Sequence, residues 1–248
     1  MIRIKTTEQI AKMREAGKIV ALCHQEIAKV MKPGVTTWEI DQLAEEFLAS
    51  HYATPEQKGY QGYPFATCAS VNDVICHGFP SREQLQEGDI VTIDMVVNLN
   101  GWLADSAWSY TVGKVSREAK DLLKVTKQAL FVGIEQATVG KRIGDISHAI
   151  QTFAESLGYG VVREFTGHGI GTDIHEDPVV PHAGKPNRGT RLKEGMVITI
   201  EPMLTIGDYY ATVDDDGWTA RTLDGSLAAQ YEHTIAITSK GPQILTCL

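Results

Sequence analysis

The chain contains no C-x-x-C. Its four cysteines, Cys23, Cys68, Cys76 and Cys247, are scattered, which excludes zinc-finger and thioredoxin-like spacings and predicts free thiols in a reducing compartment. No apolar run approaches the roughly 20 residues that span a bilayer. The opening residues, MIRIKTTEQIAKMREAG, lack the apolar stretch of a secretion signal. A soluble, cytoplasmic protein is the expectation. Basic charge is also scarce: 23 Lys and Arg stand against 31 Asp and Glu, a formal net charge of −8. That balance argues against broad binding to nucleic acid or anionic membranes. No low-complexity stretch or linker divides the 248 residues, so one domain with a substantial core is expected over 1–248.

What is present is an ordinary globular composition, 43% hydrophobic and 22% charged, with one unusual stretch. Residues 89–111, DIVTIDMVVNLNGWLADSAWSYT, read as two strands rich in Val, Ile, Thr and Trp around Asn100-Gly101 turn chemistry. Asp94 and Asp105 sit mid-arm among apolar or small residues. A turn at Leu99-Asn100 places them directly opposite each other; a turn at Asn100-Gly101 makes them diagonal neighbours. Either register puts both on one face. Like charges so placed repel, and half-buried carboxylates are costly. A solvated edge residue is the plain explanation, and a divalent metal held by both is the sharper one.

Helices are predicted on either side. Thr6-x-x-Gln9 and Thr36-x-x-Glu39 are capping boxes. The first precedes Ile10, Met13, Gly17, Val20, Ile27 and Val30 at helical spacing, ending near Pro33-Gly34. The second precedes Ile40, Leu43, Ala44, Phe47 and Leu48. Short strands are expected around 66–71 and 73–77. Ser116 opens a third helix reaching about Ala137, and a fourth lies within 140–158. The halves also repeat. GVTTWEIDQLAEEFLAS (34–50) lies over GKRIGDISHAIQTFAES (140–156) and EGDIVTID (87–94) over EGMVITIE (194–201), at nearly one offset. Two copies of a helix-helix-strand unit about a pseudo-twofold axis follow, roughly 34–112 and 140–237, with Glu201 the twin of Asp94.

Glu201 is expected to end the strand Met196–Ile200 as Asp94 ends Ile90–Ile93. A further strand is expected over 230–237, with Glu232 sharing a face with Thr234 and Ala236. His168 lies in Thr166-Gly167-His168-Gly169-Ile170-Gly171, where glycine permits close backbone approach. One imidazole and four carboxylates, Asp94, Asp105, His168, Glu201 and Glu232, suit two divalent ions. Their charge of about −4 balances such a pair, and bridging carboxylates with a bridging hydroxide are the arrangement of two-metal hydrolases. Each residue alone is weak, since a strand-end acid is usually solvated and a histidine in a Gly-rich loop is usually surface or core. His175-Glu176 resembles the start of H-E-x-x-H, but Val179 occupies the last position and no helix begins there, so that reading fails. His77 and His175 remain available to hold a carbonyl oxygen and an amide nitrogen; packed histidines are the bland alternative.

With these residues in place, the chain resembles the type I methionine aminopeptidases. The similar stretches are GYPFATCASVNDVICHG, GDIVTIDMVVNLNGWLADSA, TGHGIG-x3-HEDP, ITIEPM and AAQYEHTIAIT, spanning nearly all of the chain after the first helix. The resemblance implies an α+β pita-bread fold, two pseudo-twofold-related halves around a central antiparallel sheet with helices on the outer face. It implies an enzyme that removes the initiator methionine from nascent chains by attack of a metal-bridging hydroxide. Asp94 and Asp105 would bind metal, as would His168 and Glu201; Asp105 and Glu232 would bridge. Glu201 would pass protons to the leaving amine, His77 would contact the scissile amide and His175 would stabilise the oxyanion. Tyr60, Tyr63, Cys68 and Trp218 match the methionine side-chain pocket, whose plain alternative is core packing. Gln57 stands where family members often carry Cys. The implied cofactors are two divalent ions of cobalt, manganese, iron(II) or zinc. The implied partners are N-terminal methionine and, beyond it, the ribosome, for a monomer without membrane or nucleic-acid binding of its own. The rival readings are a proline- or dipeptide-directed metallopeptidase of the same fold, members of which usually carry a further N-terminal domain, and a non-catalytic peptide-binding module. Five filled ligand positions argue against the last.

Overall fold

The computed structural model describes residues 1–248. Helix α1 (Thr7–Val30) begins at the first capping box, with the Gln9 N–H donating to Thr6 Oγ1 at 3.2 Å and the Thr6 N–H to Gln9 Oε1 at 2.9 Å. Helix α2 (Thr37–Ser50) repeats the device with Thr36 and Glu39. Three short strands follow, β1 (Thr54–Pro55), β2 (Cys68–Val71) and β3 (Val74–Cys76). The long hairpin is β4 (Ile90–Leu99) and β5 (Trp102–Thr111). Then come α3 (Arg117–Gln136), capped by the Ser116 hydroxyl, and α4 (Ile143–Ser156). Helix α4 falls within the expected 140–158. The backbone just before it is held by 190–192, through Gly140 N–H to Leu192 O and Leu192 N–H to Lys141 O.

The rest of the chain is strand and loop: β6 (Gly160–Val161), β7 (Gly167–Gly169), β8 (Glu176–Val180), β9 (Val197–Ile200), β10 (Met203–Thr205), β11 (Ala211–Val213), β12 (Ala220–Thr222), β13 (Ala228–Gln230), β14 (His233–Thr238) and β15 (Gly241–Ile244). Every pairing is antiparallel, in the orders β1-β4-β2 with β5 also on β4, β13-β10-β6, β11-β12-β3 and β15-β14-β9-β7-β8.

The turn of the hairpin falls at Asn100-Gly101, both left-handed at φ 53° and 81°. Asp94 therefore pairs with Ala107 and Val96 with Asp105, so the two acids are diagonal neighbours. Two strand expectations are corrected. Asp94 lies inside β4, which runs on to Leu99. The strand expected over 230–237 is two strands, broken at Tyr231-Glu232, and its partner is broken opposite, at Glu201-Pro202. The pairs Ile200–His233 and Met203–Gln230 keep one register across the gap. Pro202 has no N–H for the ladder, and the Glu232 N–H turns to Ala107 O on β5 instead, at 2.9 Å.

Alternation sorts the strand pairs β4-β5 and β9-β14 into a helix face and a site face. Val91, Ile93, Met95 and Val97 are buried with Val20, Ile27, Ile40 and Leu48 of α1 and α2. Ile198, Ile200, Ile235 and Ile237 are buried with Leu122, Leu130, Ile146 and Ile150 of α3 and α4. Each half thus has its own core, and a third cluster, including Met13, Val96, Leu103, Val197 and Leu245, joins them. Burying an aliphatic side chain in these clusters is worth about 1.5–3 kcal/mol. The centre differs from one continuous sheet. Side-chain hydroxyls bridge the halves: the Asp105 N–H donates to Thr234 Oγ1 at 2.9 Å, Thr234 Oγ1 to Asp105 O at 2.8 Å, and Ser106 Oγ to Glu232 O at 2.9 Å. The four cysteines are free thiols, and no helix is long and apolar enough to cross a membrane.

Candidate metal centre and active-site cavity

The site faces of the two strand pairs, β4-β5 and β9-β14, meet at one point. Asp94 comes from β4, Asp105 from β5, Glu201 from the residue after β9, Glu232 from the residue before β14, and His168 from the middle of β7. Glycine lets β7 fit between its neighbours: a Cβ at Gly167 would lie 2.5 Å from Thr199 O, and one at Gly169 2.2 Å from Asp177 O. The His168 Nε2 lies 3.6 Å from Asp105 Oδ2 and 3.8 Å from Glu201 Oε1. Donor atoms of Asp105, His168 and Glu232 all fall within 4.8 Å of one another.

The electrostatics are those of a cation site. Burial pushes the Asp94 carboxyl up to about 6, offset in part by hydrogen bonds from Asp105 and Gln230. Burial, then repulsion from the neighbouring acids, holds Asp105, Glu201 and Glu232 well above the usual carboxylate range. Burial, with the nearby His175, lowers His168 to about 3, so its ring is neutral. Its Nδ1 lies 2.9 Å from Gly169 O; the Nδ1–H donates there and leaves the Nε2 lone pair aimed at the acids. Asp105 Oδ1 and Glu232 Oε1 are buried with no hydrogen-bond partner. Such orphans are rare in folded proteins. Divalent cations would satisfy them, balance the carboxylates and use the free imidazole nitrogen, so the donor set fits metal.

Other residues fix these side chains and carry no site motif in the sequence. Thr199 Oγ1 donates to Glu201 Oε1 at 2.8 Å and accepts the His168 N–H at 2.9 Å. Gln230 Nε2 reaches Glu201 Oε2 at 3.4 Å, and the Glu201 N–H donates to His182 Nε2 at 3.1 Å. Thr199 and Gln230 each lie two residues before one of the candidate acids, Glu201 and Glu232, and that spacing could have pointed to them. His182 had no sequence signal. Gln57 is now explained as well: its Oε1 accepts the Val96 N–H and its Nε2 donates to Asp94 O at 3.1 Å. The side chain extends the ladder where β1 ends and holds the backbone beside Asp94.

All the residues singled out from the sequence line one cavity of about 720 Å³: Tyr60, Tyr63, Cys68, His77, Trp218, His175 and the five acidic and imidazole positions. Phe165 and Met203 join its wall. His77 sits in the left-handed region at φ 57°, edge-on to Phe165 and Trp218 at 5.4 and 6.1 Å. Burial lowers it to about 4, leaving it neutral. His175 precedes β8, exposed, with its ring 4.4 Å from that of His168 and its Nδ1 2.8 Å from the Tyr60 hydroxyl. Tyr63 presents only its ring to the cavity, because its hydroxyl donates to Thr67 O and Gly78 O at 3.0 and 3.1 Å. Burial raises the Cys68 thiol, so it is an apolar wall and not a nucleophile.

Comparison with known proteins agrees with this geometry. The chain is 50% identical to methionine aminopeptidase 1 of Bacillus subtilis over 246 residues, 99% of each chain. It is 49% identical to a methionine aminopeptidase of Clostridium acetobutylicum, again over 99% of each. The crystal structure of the Thermotoga maritima methionine aminopeptidase superposes with a TM-score of 0.98 at 45% identity, covering 100% of both chains. The pattern of metallopeptidase family M24 matches residues 11–239, and with that match the chain belongs to metallopeptidase family M24.

Proposed function

We propose that this chain is a methionine aminopeptidase that uses two divalent ions to remove the initiator methionine from nascent polypeptides. One observation carries the reading: buried carboxylates with unpartnered oxygens, and one neutral imidazole, form the floor of a cavity walled by aromatic rings and a thiol. Asp94, Asp105, His168, Glu201 and Glu232 would hold the ions, with Asp105 and Glu232 shared; manganese, iron(II), cobalt and zinc all suit such donors. When bound, the metal supplies Lewis acidity and lowers the pKa of the attacking water. Glu201 would take a proton from that water and return it to the leaving amine. His77, neutral, contacts the scissile amide. With the Tyr60 hydroxyl donating to Nδ1, His175 keeps Nε2–H as the donor to the developing oxyanion. The rings of Tyr60, Tyr63 and Trp218, with Cys68, shape an apolar slot for an unbranched thioether.

The cluster common to both halves supports treating residues 1–248 as one catalytic domain, with pseudo-repeat halves near 34–112 and 140–237. We place the enzyme in the cytoplasm as a monomer acting on chains at the ribosome. The function is tested with peptides. Met-Ala-Ser should be cleaved, and Leu-Ala-Ser and Ala-Pro should not, when products are followed by mass spectrometry. Equal cleavage of the Met and Leu peptides would refute the pocket assignment.

A further inference from the structure

The N-terminal arm reaches the loop that carries His175. Lys5 and Glu176 are 6% and 9% exposed, and Lys5 Nζ lies 2.5 Å from Glu176 Oε2. The arm is anchored by the Lys5 N–H, which donates to Gly195 O at 2.7 Å. The other carboxylate oxygen accepts from Arg3 Nη1 at 3.1 Å and from the Thr172 N–H at 3.2 Å. Gly171 makes room for the pair, since a Cβ there would lie 2.6 Å from Glu176 Oε1 and 2.7 Å from Lys5 Cε. One buried carboxylate thus ties both ends of the loop 172–176 to each other and to the arm.

Nothing in the proposed reaction uses this pair. A buried ion pair is also a weak stabiliser, because the cost of desolvating both charges offsets most of their attraction. Its geometric effect is specific. His175 is exposed and is not packed into a core; its ring has one hydrogen bond, to Tyr60, and one edge contact, with the His168 ring. The placement of its imidazole then depends on the backbone, and that backbone is held at the adjacent residue by Glu176. We propose that Lys5 and Glu176 are positioning residues that act on the reaction through His175. The proposal rests on the assignment of His175 to the oxyanion.

The test is a double-mutant cycle on the metal-loaded enzyme. Lys5→Met keeps the aliphatic stem and removes the charge; Glu176→Gln keeps the shape and is the second variant should the first fail to fold. Each is made alone and with His175→Ala. Either single variant should lower kcat for Met-Ala-Ser roughly 10- to 100-fold, the scale of a small misplacement at a reacting centre, with KM little changed. In the His175→Ala background the same change should cost less than about twofold. In metal-free protein the His175 imidazole NMR signal should shift or broaden in both variants while that of His24 stays in place. Equal losses of kcat in the two backgrounds, or an unmoved His175 signal, would overturn the proposal. Full activity of His175→Ala alone would instead show that the assignment of His175 is wrong, and the proposal would fall with it.

Discussion

Asp94→Asn should stabilise the metal-free protein at neutral pH while weakening its response to metal. Burial holds the Asp94 carboxyl at about 6 against an ordinary value of 3.8. Between those values the folded state keeps a proton that the unfolded chain has released. Stability is therefore complete below the unfolded pKa and is lost as pH rises through the folded one. At 1.36 kcal/mol per pH unit, Asp94 costs the metal-free fold roughly 3 kcal/mol by pH 7. For a chain of this size about 1 kcal/mol moves Tm by about 2–4 °C, so the variant should melt roughly 6–12 °C higher than wild type at pH 7 and equally near pH 4. The comparison must be between the two proteins at each pH. Buried His168 and His182, both lowered to about 3, have the opposite slope: their contribution is present above the ordinary histidine value and is lost as pH falls through the lowered one. They are common to both proteins and cancel, whereas Asp105, Glu201 and Glu232, whose carboxyls the Asp94 charge helps to raise, are relieved in the variant and add to its stabilisation. With manganese or cobalt at a hundredfold excess over Kd the gap should close, because the metal adds about 2.7 kcal/mol to the wild type and less to a variant that lacks one of the proposed ligands. The assay is a thermal melt of chelator-treated protein from pH 4 to 8, with and without metal. A metal-free variant less stable than wild type at pH 7 would refute the reasoning, since it would mean that the Asp94 charge is satisfied without a cation.

Asp105→Asn should abolish activity and reduce bound metal after gel filtration, because on the proposed reading Asp105 would be shared between the ions. His77→Ala should lose turnover by about 10²–10³-fold, the cost of removing one positioned donor, with metal content unchanged; equal metal loss in both would show that the roles are not divided this way. Gln57→Ala should cost about 1–3 kcal/mol in urea unfolding, because it leaves the Val96 N–H without its acceptor, and it should weaken metal binding through the backbone beside Asp94. Gly17→Ala should destabilise by about 1–3 kcal/mol, since α1 passes so close to the C-terminal segment that a Cβ would lie 2.1 Å from Leu245 O; an unchanged Tm would show that this approach relaxes freely.

Where local chemistry dictates local structure, the sequence was sufficient. Thr6-x-x-Gln9 and Thr36-x-x-Glu39 place two helix starts because the cap is built from residues three apart. Asn100-Gly101 places a hairpin because both residues tolerate positive φ. Period-two alternation puts Asp94 and Asp105 on one face whatever the register. The tertiary structure decided what periodicity does not encode: which faces meet. A carboxylate carries the same local signature whether it is solvated or ligates a metal. Only the burial of Asp105 Oδ1 and Glu232 Oε1 without partners distinguishes the two. The break at Tyr231-Glu232 follows from Pro202 on the opposite strand and from a bond to Ala107 far earlier in the chain. Gln57, His182 and the Lys5–Glu176 pair act on residues distant in sequence, where a side chain leaves no repeating pattern to read. Their roles are set by the packing of two halves whose hydroxyl-bridged seam brings the five donors to one point.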